Sequence, residues 1–429
     1  MLDIKFIVEN PDIVKKAIHD KQSEPVDVDH LIALYEERKK LRQELDDINA
    51  ARNKAAKDQD IEAGKTLKQQ AANLEPKIQE IEKEYAALML KIPNVPSADT
   101  PVGSDESANR VVRQWGEPRE FSFTPKAHWD LGKDLGLIDT EKAAEVSGAR
   151  FKYLKGDLVR IEFALVQFAL ETLSNVDTLK VIADEAGAKV TVTPFVPVLP
   201  PVFMRTSVMN RMARLHPMDD RYVFDKDDLV LVGSAEHTLG PLLMDELVEE
   251  KDLPIRLVGF STAFRREAGA AGKDTRGILR QHQFDKVEME SFVLPEQSLD
   301  ENNFFVGIQE YFMRKLNLPH QVILKCTMDQ GTPNHRGIDI ETWMPGAGVY
   351  RETHSADLMT SYQARRLNAR VKREDGTIEF VHMNDATAFA MERTIIAIME
   401  NYQEEDGSIR VPDVLQKWVG KDIIRGNAS

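Results

Sequence analysis

The amino-acid sequence predicts an α+β protein: a mixed, mostly antiparallel sheet flanked by helices and preceded by an antiparallel α-helical coiled coil. Three observations carry that expectation. Apolar residues keep a 3-4 spacing from about Val28 to Ile92, the repeat of helices that meet along a seam. From Gly259 to Phe292 two extended runs flank a loop rich in glycine and basic residues, the pattern of an antiparallel hairpin. Neither G-x-G-x-x-G opening a helix nor G-x-x-x-x-G-K-[ST] occurs, so the two common nucleotide-binding α/β folds have no support.

A length of 429 residues fits two or three domains with a large buried core. Hydrophobic content of 42% beside 30% charge is ordinary for a soluble globular protein. No apolar run reaches membrane-spanning length, and MLDIKFIVEN lacks the basic start and apolar core of a signal peptide. The single cysteine, Cys326, excludes an intramolecular disulfide and a thiolate zinc cluster. A cytoplasmic protein with no membrane attachment is the expectation. A net charge of −15 excludes a generic nucleic-acid coat, so an RNA contact must use a local basic surface.

In the N-terminal segment Leu31, Leu34, Leu41, Leu45 and Ile48 keep the repeat, with Arg38 in one seam position. Leu67, Ala71, Leu74, Ile78, Ile81, Tyr85 and Leu88 resume it. Two helices joined by a polar tip, about Asn53 to Gly64, make a hairpin over about 28–92. A helix of about 27 residues at ~1.5 Å per residue projects roughly 40 Å. Pro76 falls inside the second helix, where the loss of one hydrogen bond favours a kink. The exterior carries Lys39, Lys40, Arg42, Arg52, Lys54, Lys57, Lys65 and Lys68 among as many acids. A dimerisation or packing device explains such a hairpin as well as a binding arm does.

A proline-punctuated linker follows, 93–103, leaving 104–429 as the second domain. The segment from His128 reads as a helix and a short strand pair. From Asp157 a long amphipathic helix begins, with Leu158, Ile161, Leu165, Phe168 and Leu170 apolar. VTVTPFVPVLPPVF is an extended run whose prolines fit an edge strand.

The chemistry concentrates on the Gly259–Phe292 hairpin. Alternation sets Arg265 and Glu267 on one face of the first run, and Phe284, Lys286 and Glu288 on one face of the second. The loop adds Lys273, Arg276 and Arg280. Charges around one flat apolar ring cost desolvation energy unless a ligand fills the surface. A planar base, a polyphosphate and an ammonium would fill it, and ATP with an amino acid supplies all three.

The order F-R-x-E, a glycine-rich basic loop and H-Q-F-x-K-x-E resembles the second signature of class II aminoacyl-tRNA synthetases. In detail (FRREAG, GKDTRG, RQHQFDKVE) it is similar to the seryl-tRNA synthetases. The resemblance implies a class II catalytic domain over 104–429 and an N-terminal arm over 1–103 that grips tRNA(Ser). It implies a homodimer, and a ligase that uses ATP and Mg2+ to form seryl-adenylate and charge the 3′ end of tRNA(Ser). The family's RNA substrates include selenocysteine tRNA. Arg265 then bridges the α-phosphate and the serine carboxylate, Arg266 joins the ATP site, Glu267 bonds the adenine amino group, and Phe284 stacks on adenine. Arg276 and Arg280 reach the outer phosphates, and Glu288 accepts the serine ammonium. Arg265 and Arg393 are the catalytic pair.

LVGSAEHTLGPLL resembles the family's T-A-E serine-binding strand, with Ser234 for threonine beside Ala235 and Glu236. Read without the family, Ser234 is the N-cap of a strand-to-helix turn. At Tyr350 to Val371 the resemblance puts Glu352, Thr353, His354 and Ser355 on the ATP site and Glu352 and Ser355 on Mg2+. His354 has no second ligand at zinc spacing. FVHMNDATAFAMERTIIAIMENYQ is similar to the third signature: Arg393 opens a helix and clamps the γ-phosphate, and Thr387 serves the serine site. The residues alone allow Asp385 as a helix cap. Two other readings share these residues, a ligase that charges a carrier-protein thiol and a paralogue without catalysis.

Overall fold

The computed structural model describes residues 1–268 and 276–426. It divides into two compact units, Met1–Pro96 and Ser97–Ser429.

The first unit is the helical hairpin with two short helices at its base. Helix α1 spans Val28–Lys57 and helix α2 spans Ile61–Lys91. Asp27 caps α1 by accepting from the His30 amide at 2.9 Å, and Asp60 caps α2 by accepting from Ala63 at 3.0 Å. The tip is therefore only Asp58–Asp60, much shorter than the polar stretch 53–64 suggests. Polar residues on a solvent face continue a helix until a cap ends it, and Ala55 is still buried in the seam. Helices of 30 and 31 residues reach ~45 Å. Helix α2 is continuous through Pro76, which lies on the solvent side, where water satisfies the carbonyl that Pro76 leaves without a donor. Arg38 is accommodated in the seam: its Nε donates to Glu82 at 3.1 Å and its guanidinium lies over Tyr85. Ile7, Val14, Ile18, Val28, Leu31, Met89 and Ile92 close the base.

The second unit is built on a sheet of eight strands among the described residues. In chain order they are β1 Arg110–Trp115, β2 Val196–Val198, β3 Ile255–Phe264, β4 Gln283–Val293, β5 His320–Leu324, β6 Arg336–Met344, β7 Val349–Thr360 and β8 His382–Ala390. Their spatial order is β1-β5-β6-β7-β8-β4-β3-β2, antiparallel throughout except for the parallel β2–β3 pair. The mixed, mostly antiparallel sheet is as expected, and Pro197 sits on its edge strand, where a missing N–H is tolerated.

One face of the sheet is apolar. Val287, Met289, Ala356, Ala386 and Ala388 meet helices α3 (Asp157–Ser174), α4 (Ser298–Lys315) and α5 (Met391–Asn401) through Leu165, Phe168, Phe304, Phe312 and Ile395. Period-2 alternation then delivers the intervening polar side chains of β4, β7 and β8 to the opposite face. Asp385 is one of these, buried in the middle of β8 rather than capping a helix. Among the described residues no helix is long and apolar enough to cross a membrane.

Candidate active site

Strand register arranges the polar face in rows. Glu288 of β4 lies opposite Thr387 of β8, and the hydroxyls of Thr387 and Ser355 are 3.3 Å apart. One step along, Glu290 lies opposite Asp385, which lies opposite Asp357 of β7. Phe284 and Lys286 continue the β4 side chains toward the hairpin loop. A cavity of about 570 Å3 opens over this face.

The expected antiparallel hairpin forms, with Gln283 against Phe264, but the first strand stops at Phe264. Arg265 and Glu267 therefore owe their positions to the following turn and not to strand alternation. Arg265 donates its amide to His282 O at 3.0 Å. Glu267 has a positive φ of 52° and donates its amide to Asp220 Oδ1 at 2.8 Å. The turn still gathers both into the cavity wall with Phe284 and Arg280. Arg265 Nε donates to Gly233 O at 3.1 Å while its guanidinium stands 5.3 Å from the Phe284 ring centroid, and Arg280 lies 3.3 Å from Glu267. Arg266 is turned away over Tyr222, and Arg276 lies over Trp129, neither lining this cavity. Lys273 lies outside the described residues. The returning loop is clamped at Gly277, where a Cβ would stand 2.0 Å from His128 Nε2, the acceptor of the Ile278 amide at 3.1 Å.

On the opposite wall the β6–β7 pairing skips a residue. Ile340 pairs with His354 but Glu341 pairs with Glu352, so Thr353 is an extra residue in β7. The bulge brings both Glu352 and Thr353 to the cavity with Ser355. His354 is carried to the other face, buried against Phe389 with Nδ1 2.8 Å from Thr353 Oγ1. Burial, and then the charge of His320, holds its pKa at about 3. A buried neutral ring on the apolar side is not placed to bind ATP. Arg393, in the first turn of α5, lies 3.0 Å from the Glu352 carboxylate. Desolvation at the cavity wall would raise that half-exposed carboxyl, but Arg393 and Lys325 override it and hold it at about 2.

The far end of the cavity is a buried charge network. Ser234 Oγ accepts from Lys286 Nζ at 3.2 Å, and Lys286 is ion-paired with Glu288 at 2.8 Å. Ser234 is not the N-cap: that position of the short helix Glu236–Leu239 is Ala235, which is packed in the core. Gly259 of β3 lets this turn settle on the sheet, since a Cβ there would be 2.9 Å from Leu239 and 3.4 Å from Ala235. Arg214 Nε lies 2.9 Å from Glu236, and Nη2 donates to Asp385 at 3.3 Å. The carboxylate oxygens of Glu236, Glu288 and Asp385 lie within 4.8 Å of one another. Burial raises all three, but Arg214 with His237, Lys286 and Arg265 holds Glu236 at about 2. Glu288 rises to about 7 despite Lys286, and Glu290 and Asp385 go well above the carboxylate range through burial and mutual repulsion.

The sequence carries no local mark of Arg214, which reaches Asp385 from 171 residues away. Glu290 was within reach, since it extends the Phe284-Lys286-Glu288 alternation by one step. Asp357 becomes visible only through its register with Asp385.

A mostly antiparallel sheet that presents arginines, acids and one aromatic ring to a polar cavity is the architecture of a class II synthetase core. Residues 222–402 match the tRNA synthetase class II core domain (G, H, P, S and T), and residues 1–96 match the seryl-tRNA synthetase N-terminal domain. The serine–tRNA ligase of Pseudothermotoga lettingae is 37% identical over 439 residues, covering 99% of this chain and 100% of that one. The one from Dictyoglomus turgidum is 38% identical, covering 99% of each. A seryl-tRNA synthetase structure from Pyrococcus horikoshii complexed with ATP superposes with a TM-score of 0.88 at 34% identity, covering 99% of this chain and 100% of that one. The cytoplasmic serine-tRNA ligase of Naegleria fowleri in complex with AMP gives 0.86 at 30%, covering 100% and 99%. The chain belongs to the seryl-tRNA synthetase family.

Proposed function

We propose that this chain activates serine with ATP and transfers it to the 3′ end of tRNA(Ser). The observation that carries the reading is Arg265, anchored on Gly233 O beside Ser234 and held against the Phe284 ring. One guanidinium so placed reaches the serine carboxylate and the α-phosphate at once, which its planar fork suits. ATP is the nucleotide, in keeping with the ATP and AMP complexes of the structural relatives.

In the first step a serine carboxylate oxygen attacks the α-phosphorus in line. The bond to the bridging oxygen of the β-phosphate breaks, and pyrophosphate leaves with its electron pair. No protein group forms a bond; the site positions substrates and neutralises charge. Phe284 stacks on adenine, Glu267 accepts from its amino group, and Arg265 carries the α-phosphate. Arg280 and Arg393 take the outer phosphates, and Glu288 with Ser234 and Glu236 receives the serine ammonium. Thr387 faces the serine side chain. Glu352 and Ser355 would hold Mg2+, one ionised carboxylate and one hydroxyl on the same wall, which suits a metal held chiefly by phosphates. When bound, the ion neutralises the triphosphate. In the second step a hydroxyl of the terminal tRNA ribose attacks the seryl carbonyl, and AMP leaves.

Residues 1–103 serve as the tRNA arm and linker and 104–429 as the catalytic domain. A homodimer and a cytoplasmic location follow from the same reading; exposed Val196 and Leu199 at the β2 edge suit a partner. Serine-dependent pyrophosphate exchange, followed by transfer to tRNA(Ser), tests the function. The expected result is both activities in the wild type and loss of exchange in Arg265→Ala. Exchange without transfer to tRNA would instead favour a carrier-charging ligase, and no serine-dependent exchange a paralogue.

A further inference from the structure

We propose that Arg214 is a specificity-determining residue, its guanidinium forming the end wall of the amino-acid pocket and donating to the substrate's side-chain hydroxyl. The inference rests on the serine-activating reading and extends it to the group that reads the side chain.

Arg214 lines the cavity together with Glu236, Lys286, Ser355, Asp357 and Thr387. Its side chain is 16% exposed, so the exposed part faces the cavity and the rest is packed. Two acidic side chains hold it, Glu236 at 2.9 Å and Asp385 at 3.3 Å. Its backbone is fixed as well: the amide donates to Met209 O at 3.2 Å, and the carbonyl accepts from Arg221 Nε at 3.0 Å. A guanidinium held at both ends loses little freedom when a ligand arrives.

The row Glu290–Asp385–Asp357 explains why a cation sits there. Three acids side by side across adjacent strands are unstable together, and both carboxyl oxygens of Glu290 lack a hydrogen-bond partner. Arg214 is the guanidinium that meets this row, through Asp385. A substrate side chain that enters the pocket meets the Arg214 guanidinium in a wall shared with Glu236, Asp357 and Thr387. A hydroxyl oxygen accepts from the guanidinium, and a methyl leaves it unpaired.

The test compares pyrophosphate exchange with serine and with alanine in the full-length protein. Arg214→Met should lower kcat/KM for serine about tenfold to a hundredfold while leaving that for alanine and the KM for ATP within about twofold. Arg214→Met combined with Asp385→Asn removes the stranded acid and carries the same expectation if the single variant does not fold. Arg214→Lys should restore part of the serine-to-alanine ratio, because a point charge replaces the fork only partly. Equal loss for both amino acids, or an unchanged ratio, overturns the proposal. If the wild type shows no serine-dependent exchange, the underlying reading fails and this inference with it. If exchange is present and the ratio does not move, the inference alone fails.

Discussion

Arg393 meets Glu352 twice, donating to its backbone carbonyl at 2.9 Å and standing 3.0 Å from its carboxylate. The pair joins the start of α5 to the bulged part of β7, so the residues proposed as γ-phosphate clamp and magnesium-holding acid are set by one contact. Glu352→Gln should raise the Mg2+ concentration for half-maximal exchange about tenfold with the KM for serine unchanged. Arg393→Ala should lower kcat by about 10²–10³. Magnesium titrations of both variants check this, and an unaltered magnesium requirement in Glu352→Gln removes the acid from the metal.

Glu288 is raised to about 7 by burial, against the pull of Lys286. Only the ionised carboxylate accepts an ammonium with full strength. Serine kcat/KM should therefore be full above that pH and fall toward tenfold per unit below it, as the free enzyme titrates. The KM for ATP should stay level across the same range. Initial rates between about pH 5.5 and 8.5 decide the matter, and a level serine profile refutes the role given to Glu288.

Glu162, on α3, is raised to about 8 by burial, then by its hydrogen bond with Asp285 and the charge of Glu392. The native state thus holds a proton that the unfolded chain releases above about pH 4.5. Stability from this group is fullest in acid and declines as pH climbs from about 4.5 to about 8. Glu162→Gln should raise stability at pH 8 by on the order of 1 kcal/mol, since each displaced unit is worth ~1.4 kcal/mol and solvent screens part of it. At pH 5 the gain should vanish. Thermal melts at the two pH values measure it; equal gains at both would mean packing and not titration.

Shortening the hairpin separates its two duties. Deleting residues 53–64 and rejoining α1 to α2 with a tight turn leaves the capped base intact. Amino-acid activation should be unchanged, while kcat/KM for charging tRNA(Ser) falls at least about tenfold, the loss expected when a distal contact worth ~1.4 kcal/mol is removed. Parallel exchange and charging assays give the answer, and an equal fall in both contradicts an arm that acts only on tRNA.

Elements with a repeating pattern were legible and single positions were not. The heptads of α1 and α2 and the alternation of β4 each repeat over many residues, so one exception such as Arg38 or Pro76 does not hide them. Alternation failed at Arg265 and Glu267, because β3 ends one residue earlier and the turn takes over. The resemblance misplaced His354, which alternation from Ser355 sends to the apolar face, while the extra residue in β7 brings Glu352 to the cavity. Asp385 reads as a cap because an acid before a helix usually is one; β8 carries it into the sheet interior instead. Arg214 was invisible because its partners come from distant strands and turns, a relationship that a linear chain does not display.

The seam contact between Arg38 and Glu82 has a mechanical consequence. Most seam positions are aliphatic and would tolerate sliding by a whole heptad, since one leucine replaces another. Arg38 does not: a slip would separate it from both Glu82 and the Tyr85 ring. One polar residue thus acts as a ratchet tooth, fixing how far the tip extends beyond the base. Helix added or removed beyond it changes the tip and leaves the base as it is.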